Sequence, residues 1–393
     1  MSGVNGRARI LLVNMYQHDD TGDAARQLCI VESLLSRMPD AKLTAVVPDR
    51  ATQVSVQGMS QGRVRVIREA LPSASLPICF NPLRIPALIS AYLTADVVIS
   101  TGGHFGQVSS LFPLLLGIML GKRIAICSAS TGLPFRKRWH AFLAKQILER
   151  TTLILLREEI SRRHLEILRL TKPQIHLTAD PAFLLRSPDK LRIDEILLEE
   201  GVGDAKPLIG INVSRPPNSN RDTYKQYIGA MTKLTTYLTE ELGAMVVLVP
   251  FCLVRGHDDR LESARVKRLI GDTQRIKAVT RELSPAELQG ILGRMDLFVG
   301  TRAHANIFAL SMGVPTLALS YHHKMDGIME DLGMSEWVCG CAAADASELI
   351  AKVKSLWTLK EHIRAQLRER VSLMAEKAAL NAKLIEALLV TAG

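Results

Sequence analysis

A chain of 393 residues is too long for one ordinary domain and suits two of about 150–200 residues each. Hydrophobic residues make up 47% and aromatic residues only 5%, which describes an aliphatic-rich globular protein with ample core. The net charge of +10 suits small anionic ligands, an acidic membrane surface or nucleic acid. The basic residues are scattered and carry no zinc-finger spacing or RNP signature, which disfavours nucleic acid.

Ile10–Val13 reads as a first parallel strand with no signal peptide before it, followed by a polar loop, 14–23. Helical spacing covers 24–38, with strands at Leu43–Val47 and Val64–Ile67 and a helix over Pro86–Leu93. Strand Val97–Ser100 runs into the glycine turn Thr101-Gly102-Gly103-His104. Leu111–Leu120 reads as a buried helix, too short to span a bilayer. Strand Arg123–Cys127 precedes a basic amphipathic helix, 137–150, whose apolar spacing runs through Trp139, Phe142, Leu143 and Ile147. That helix suits either a solvated face over a core stripe or contact with an acidic membrane. Leu153–Leu156 and Ile175–Leu177 complete the first sheet.

Residues 188–206 turn charged and lose strand character, so the expected division is an N-terminal domain 1–187, a linker 188–206, a C-terminal domain 207–356 and C-terminal helices 357–393. The pattern restarts with strands at Leu208–Val213, Met245–Val249 and Ile276–Val279 and helices over 222–242 and 262–271. Ser284-Pro285-Ala286-Glu287 is a capping box. Two successive βαβ blocks predict an α/β protein of two Rossmann-like domains facing a cleft, with ligands at the carboxyl ends of the strands. Six cysteines without a C-x-x-C pair read as reduced thiols, and the expected location is cytoplasmic.

The most informative stretch is 296–320. Leu297–Val299 is a short strand, Gly300 permits a sharp turn, Thr301 is a candidate N-cap, and Gly313 closes the helix that follows. Arg302 and His304 then fall in the first turn, where free amides favour an anion. Arginine brings a fixed charge and histidine a mobile proton, a pairing suited to acid–base chemistry on an anionic substrate. His18, Asp23, His104 and Arg215 lie in loops at the same end of their sheets. Lys324 and Tyr321 could contact phosphate or face solvent. Asp180 reads as structural rather than catalytic. His322-His323 has no carboxylate-rich ligand set beside it, so no metal is expected.

These residues resemble the polysaccharide pyruvyl transferase family. The resemblance is carried by Thr21-Gly22-Asp23-Ala24, Thr101-Gly102-Gly103, Arg157-Glu158 with Ser161, and Asp180-Pro181-Ala182-Phe183-Leu184. Ile211 to Pro216, Thr301-Arg302-Ala303-His304, Gly313-Val314-Pro315 and Ser320 to Lys324 continue it. It departs at Ala24, Ala303 and His104, where the family commonly has Glu, Leu and Gly. The resemblance implies a fold similar to GT-B glycosyltransferases and transfer of the pyruvyl unit of phosphoenolpyruvate to hydroxyls of a glycan or lipid-linked oligosaccharide. The product is usually a ketal.

It implies donor contacts from Arg302 and Arg215. With Thr301 and Lys324 as further donor candidates, His304 becomes the catalytic acid/base, and His18, Asp23, Gly103 and His104 become acceptor candidates. Phosphoenolpyruvate is a co-substrate, and no tightly bound cofactor is expected. A lipid-linked acceptor would favour peripheral contact with the inner face of the membrane. The competing expectations are a GT-B glycosyltransferase using a nucleotide sugar and a non-catalytic anion-binding protein of a polysaccharide assembly.

Overall fold

The computed structural model describes residues 7–16, 20–71, 80–102, 108–131, 137–217, 219–254, 256–271 and 273–390. His18, Gly103 and His104 lie outside them. The described residues form two compact units, one of 7–16, 26–184 and 374–390, the other of 20–25 and 185–373.

The first unit is a parallel sheet of seven strands: β1 (Arg9–Val13), β2 (Lys42–Val47), β3 (Val64–Arg68), β4 (Val97–Ser100), β5 (Arg123–Ala129), β6 (Leu153–Leu156) and β7 (Gln174–Leu177). Their spatial order is β3-β2-β1-β4-β5-β6-β7. Continuous apolar runs such as Leu153–Leu156 are buried along their whole length, as expected for a sheet covered on both faces. Helices α1 (Thr21–Arg37) and α2 (Arg50–Met59) connect strands running toward one edge; α3 (Ile85–Thr94), α4 (Phe112–Met119), α5 (Arg138–Leu148) and α6 (Glu159–Leu168) connect strands running toward the other. Right-handed crossovers therefore put α3 to α6 side by side on one face. Leu88, Leu114, Ile147 and Leu165 share one core cluster there. Leu34 and Val56 share the opposite cluster with Ile385 from the last helix.

Arg157, Glu158 and Ser161 are consumed within this unit. Arg157 pairs with Asp180 at 2.6 Å and donates to Ser130 Oγ at 2.6 Å, with both charged groups buried. Glu158 caps α6 by accepting from Ser161 N at 2.7 Å. Burial pushes its carboxyl up, and the Ser161 hydrogen bonds oppose that.

The second unit contains α7 (Lys190–Glu199), β8 (Leu208–Asn212), α8 (Arg221–Glu240), β9 (Met245–Leu248), α9 (Asp259–Ile270), β10 (Ile276–Ala278), α10 (Pro285–Leu292), β11 (Leu297–Gly300), α11 (Ala303–Ser311), β12 (Thr316–Ser320), α12 (His323–Asp331), β13 (Val338–Gly340) and α13 (Ala346–Thr358). Its strand order is β10-β9-β8-β11-β12-β13, all parallel. The sequence of crossovers reverses direction between β8 and β11, the position where doubly wound sheets place their ligands. Helix α14 (Lys360–Val390) contributes 360–373 to this unit and 374–390 to the first.

One local expectation holds and several change. The capping box forms: Ser284 Oγ accepts from Glu287 N, and the Glu287 carboxylate reaches back to Ser284 N at 3.0 Å. Residues 188–206, expected as a linker, carry α7, whose Ile193, Ile196 and Leu197 are buried. The high charge of that stretch sits on the outer face of a helix. The N-cap of α11 is Arg302 rather than Thr301. Helix α4 is not fully buried: Leu114 and Gly117 are buried, Leu115, Leu116 and Ile118 lie half-buried against the core, and Phe112 and Met119 are exposed. In α5 the core stripe is His140, Ala144, Ile147 and Leu148, and Trp139 and Phe142 face outward.

Candidate active site

Everything at this site hangs on the ends of β8, β9 and β11. Register pairs Gly300 with Asn212, so the two strands finish together. Asn212 then bridges three segments. Its backbone carbonyl accepts from Thr301 N at 3.3 Å and its Oδ1 accepts from Arg302 N at 2.9 Å. Its Nδ2 donates to Val249 O at 3.0 Å and to Asp259 Oδ2 at 3.2 Å. Gly300 is required because Asn306 folds back to donate to its carbonyl at 3.0 Å; a Cβ at 300 would lie 2.1 Å from Asn306 Oδ1. That return bond holds the first turn of α11 against the strand it follows.

Asp259, buried at the start of α9, is the anchor. Its Oδ2 accepts from the backbone amides of Phe251 and Cys252, each at 3.1 Å, as well as from Asn212. It also holds Arg302: Nε lies 3.2 Å from both carboxylate oxygens, and Nη2 lies 2.9 Å from Oδ1. Nη2 donates in addition to His257 O at 2.9 Å. Burial works against the guanidinium charge, but Asp259 more than restores it and holds the group well above its ordinary value. Arg302 is therefore fixed in place and always charged, while part of its charge is already balanced.

The start of α1 completes the cluster. Asp20 pairs with Cys252 as an antiparallel bridge, and Thr21 N donates to Phe251 O at 3.1 Å. Asp20 Oδ1 accepts from Asp23 N at 3.1 Å, the geometry of a helix cap. The Asp20 carboxyl is raised above its ordinary value by burial and then by Asp23; Arg302 and His304 pull it the other way. Gly22 lies directly against His304: a Cβ there would be 2.2 Å from His304 Nδ1. Gly22→Ala is expected to push the imidazole out of position and lower kcat on the order of a hundredfold. Gly58→Ala, where a Cβ meets nothing within 4 Å, serves as the neutral control in the same assay.

Of the residues singled out in the sequence, Arg302, His304 and Asp23 come together here. Thr301 is buried at the turn with its hydroxyl engaged by Tyr227 Oη at 2.7 Å. Arg215, in the loop after β8, is exposed and lies over the Tyr224 ring at 4.7 Å, with no contact to Arg302 among the described residues. Lys324 begins the first turn of α12, its amide donating to His322 Nδ1 at 3.3 Å. Tyr321 precedes it at the same sheet end. Burial pushes its phenol up to about 12, with Asp20 adding to the rise and Arg302 opposing it.

Asp20, Asn212 and Asp259 escaped the sequence reading. Asp20 had one signal, a carboxylate three residues before Asp23 in capping position. Asp259 had none, because Asp258 beside it is the visible cap of α9. Cys252 lies close to Arg302 and Asp20, but burial pushes its thiol up to about 12, so it is neutral near pH 7 and no nucleophile. The acids Asp20, Asp23 and Asp259 outnumber the bases at the cluster. Directed donors, namely Arg302 and the start of α11, whose N-cap side chain makes no capping bond, therefore distinguish the cluster more than surplus positive charge does.

Comparisons with known proteins bear on the chain as a whole. The amylovoran biosynthesis protein AmsJ of Erwinia amylovora is 25% identical over 399 residues, covering 92% of this chain and 95% of that protein. In fold, the chain is similar to a glycosyltransferase from Rickettsia africae (TM-score 0.66, 12% identity, 99% of this chain and 100% of that one). It is similar also to Anabaena HepE in complex with UDP (TM-score 0.66, 11% identity, 98% and 100%) and to a putative UDP-N-acetylglucosamine 2-epimerase from Listeria monocytogenes (TM-score 0.64, 15% identity, 95% and 94%). The two Rossmann-like units thus form a GT-B-like fold. The polysaccharide pyruvyl transferase family pattern matches residues 20–323. That match begins at Asp20 and runs past Tyr321, enclosing the whole cluster as well as most of the chain, and the protein belongs to the polysaccharide pyruvyl transferase family.

Proposed function

We propose that this transferase moves the pyruvyl unit of phosphoenolpyruvate to hydroxyls of a glycan or lipid-linked glycan precursor, closing a ketal and releasing phosphate. One observation carries the reading: His304 and the clamped Arg302 share the uncapped start of α11, with Asp20 within electrostatic reach of both. A carboxylate and a phosphate on one small donor match a fixed guanidinium, an imidazole and the amides of a helix start. Nothing in this chemistry calls for a tightly bound cofactor.

The bond changes then assign roles. His304 delivers a proton to the methylene carbon of the donor, leaving an oxocarbenium-like centre at the adjacent carbon. A sugar hydroxyl attacks that carbon and its proton passes to Asp20. A second hydroxyl attacks the same carbon as the bond to the phosphate oxygen breaks, and its proton leaves with the phosphate. The carboxylate of the donor is unchanged throughout and remains the handle for Arg302.

Asp20 acts as a base only when ionised, so activity falls as pH drops through its raised pKa. Asp23→Asn removes one of the causes of that rise and is expected to move the acidic limb of the kcat profile to lower pH. An acidic limb that stays in place, with turnover otherwise intact, removes Asp20 from this role. The reading itself is tested by incubating the protein with acceptor glycans and either phosphoenolpyruvate or nucleotide sugars. Phosphate release with the first donor alone supports it. Sugar transfer from a nucleotide donor would replace it with a glycosyltransferase.

A further inference from the structure

We propose that the first unit docks on an anionic lipid bilayer through the amino-terminal ends of α3, α4 and α5. These helices lie side by side on one face of the sheet, and each follows a parallel strand, so their first turns all sit at the carboxyl end of that sheet. Large apolar side chains stand exposed at each of these ends: Leu83 just before α3 (91% exposed), Phe112 opening α4 (43%), and Trp139 and Phe142 in the first two turns of α5 (54% and 67%). The sequence spacing placed Trp139 and Phe142 on a core stripe, yet Ala144, Ile147 and Leu148 fill that stripe. Trp139 meets the ring of His140 beside it at 5.8 Å, and Phe142 stands exposed.

Charge identifies the occupant. From residue 70 to 148 the only acid is Asp96, against seven bases: Arg84, Lys122, Arg123, Arg136, Lys137, Arg138 and Lys145. Asp96 precedes β4, at the amino end of the sheet, where it accepts from Arg9 N at 2.7 Å. Lys122 and Arg123 stand at that same end, Lys122 donating to Ala95 O at 3.0 Å, whereas Arg84, Lys137 and Arg138 adjoin the apolar side chains in sequence. Aromatic and aliphatic groups interleaved with lysine and arginine form the composition of a surface that enters the headgroup region of an acidic membrane. Among the described residues no helix is long and apolar enough to cross a bilayer, so the contact is peripheral. Its purpose, bringing the enzyme to a lipid-linked acceptor, rests on the pyruvyl-transfer reading above; the docking itself does not.

The test is co-sedimentation of the full-length protein with vesicles of phosphatidylcholine alone or of phosphatidylcholine and phosphatidylglycerol in equal parts. Partition into the anionic vesicles is expected to be about tenfold stronger and to weaken with salt. Brominated acyl chains should quench tryptophan emission, and Trp139→Phe should abolish the quenching, because Trp337 is buried and Trp357 is covered by Lys360 at 3.5 Å. Combining Trp139→Ser with Phe142→Ser is expected to reduce partition by about tenfold while phosphate release with a soluble acceptor continues at the parent rate. Equal partition into both vesicle types, absent quenching, or a double variant that sediments like the parent overturns the proposal. So does a fall in sedimentation mass in the double variant without vesicle binding, which would give the patch to a second copy of the chain. Loss of donor-dependent phosphate release in the parent protein, with vesicle binding intact, would count against the transfer reading alone.

Discussion

His304→Gln is expected to lower kcat by about 10²–10⁴-fold, equivalent to roughly 3–5 kcal/mol of transition-state stabilisation, with donor affinity changed far less. Glutamine keeps a polar group of similar reach at the start of α11 but has no proton to give at neutral pH. The donor loses one charged contact and retains Arg302 and the helix amides. Stopped-flow or single-turnover measurement of phosphate release, paired with equilibrium titration of the donor, separates the two quantities. A variant that turns over at the parent rate removes the imidazole from the proton-transfer step. A variant that loses binding and turnover in equal measure makes His304 a donor ligand instead.

Asp259→Ala is expected to be the most damaging single change to the second unit. It leaves the half-buried Arg302 guanidinium without its carboxylate and strips the Asn212, Phe251 and Cys252 donors of their shared acceptor. Breaking a buried pair from one side costs about 3–5 kcal/mol, because the surviving charge stays desolvated. For a unit of this size the unfolding midpoint falls by roughly 10 °C. Asp259→Asn restores acceptor capacity without charge, so it should recover much of the stability while the guanidinium loses its fork partner. Calorimetry on both variants checks the first statement and donor titration the second. A variant Asp259→Ala that unfolds at the parent temperature would show that this carboxylate does not hold the site together.

These two residues also mark where sequence reading stops. His304 and Arg302 were legible because a strand, a glycine and a closing Gly-Val-Pro fix a βα turn within a few residues of chain, and local spacing says which side chains occupy the first turn. Asp259 was not legible, since its role depends on β9 ending beside β8 and on three donors arriving from different loops. Gly22 looked like a loop glycine in the N-terminal half. Its requirement comes from His304, far along the chain, which only the tertiary arrangement brings against it. The capping box at Ser284 was visible because it involves four consecutive residues and no others.

Charge and apolar content misled where they were averaged over a segment. Residues 188–206 read as a linker from their charge, but the charges decorate the outer face of α7 and Ile193 and Ile196 anchor its inner face. The run 111–120 read as buried from its apolarity, yet a helix against a sheet buries one side only, and Phe112 and Met119 project outward. Arg302 was expected as a fixed charge in contact with an anionic donor. Its pairing with Asp259 turns it into a rigid directional contact, and a folded chain alone could reveal that partner.

The most direct measurement is the product formed from phosphoenolpyruvate carrying ¹³C at the carbon that bears phosphate, reacted with acceptor in D₂O and followed by NMR. The account predicts a labelled ketal carbon on the sugar, a neighbouring methyl group that has gained one deuterium, and one phosphate released per ketal; His304→Gln should suppress all three together. An acceptor that keeps the donor's methylene intact, or a label that never reaches the acceptor while a nucleotide sugar donates in its place, would contradict it.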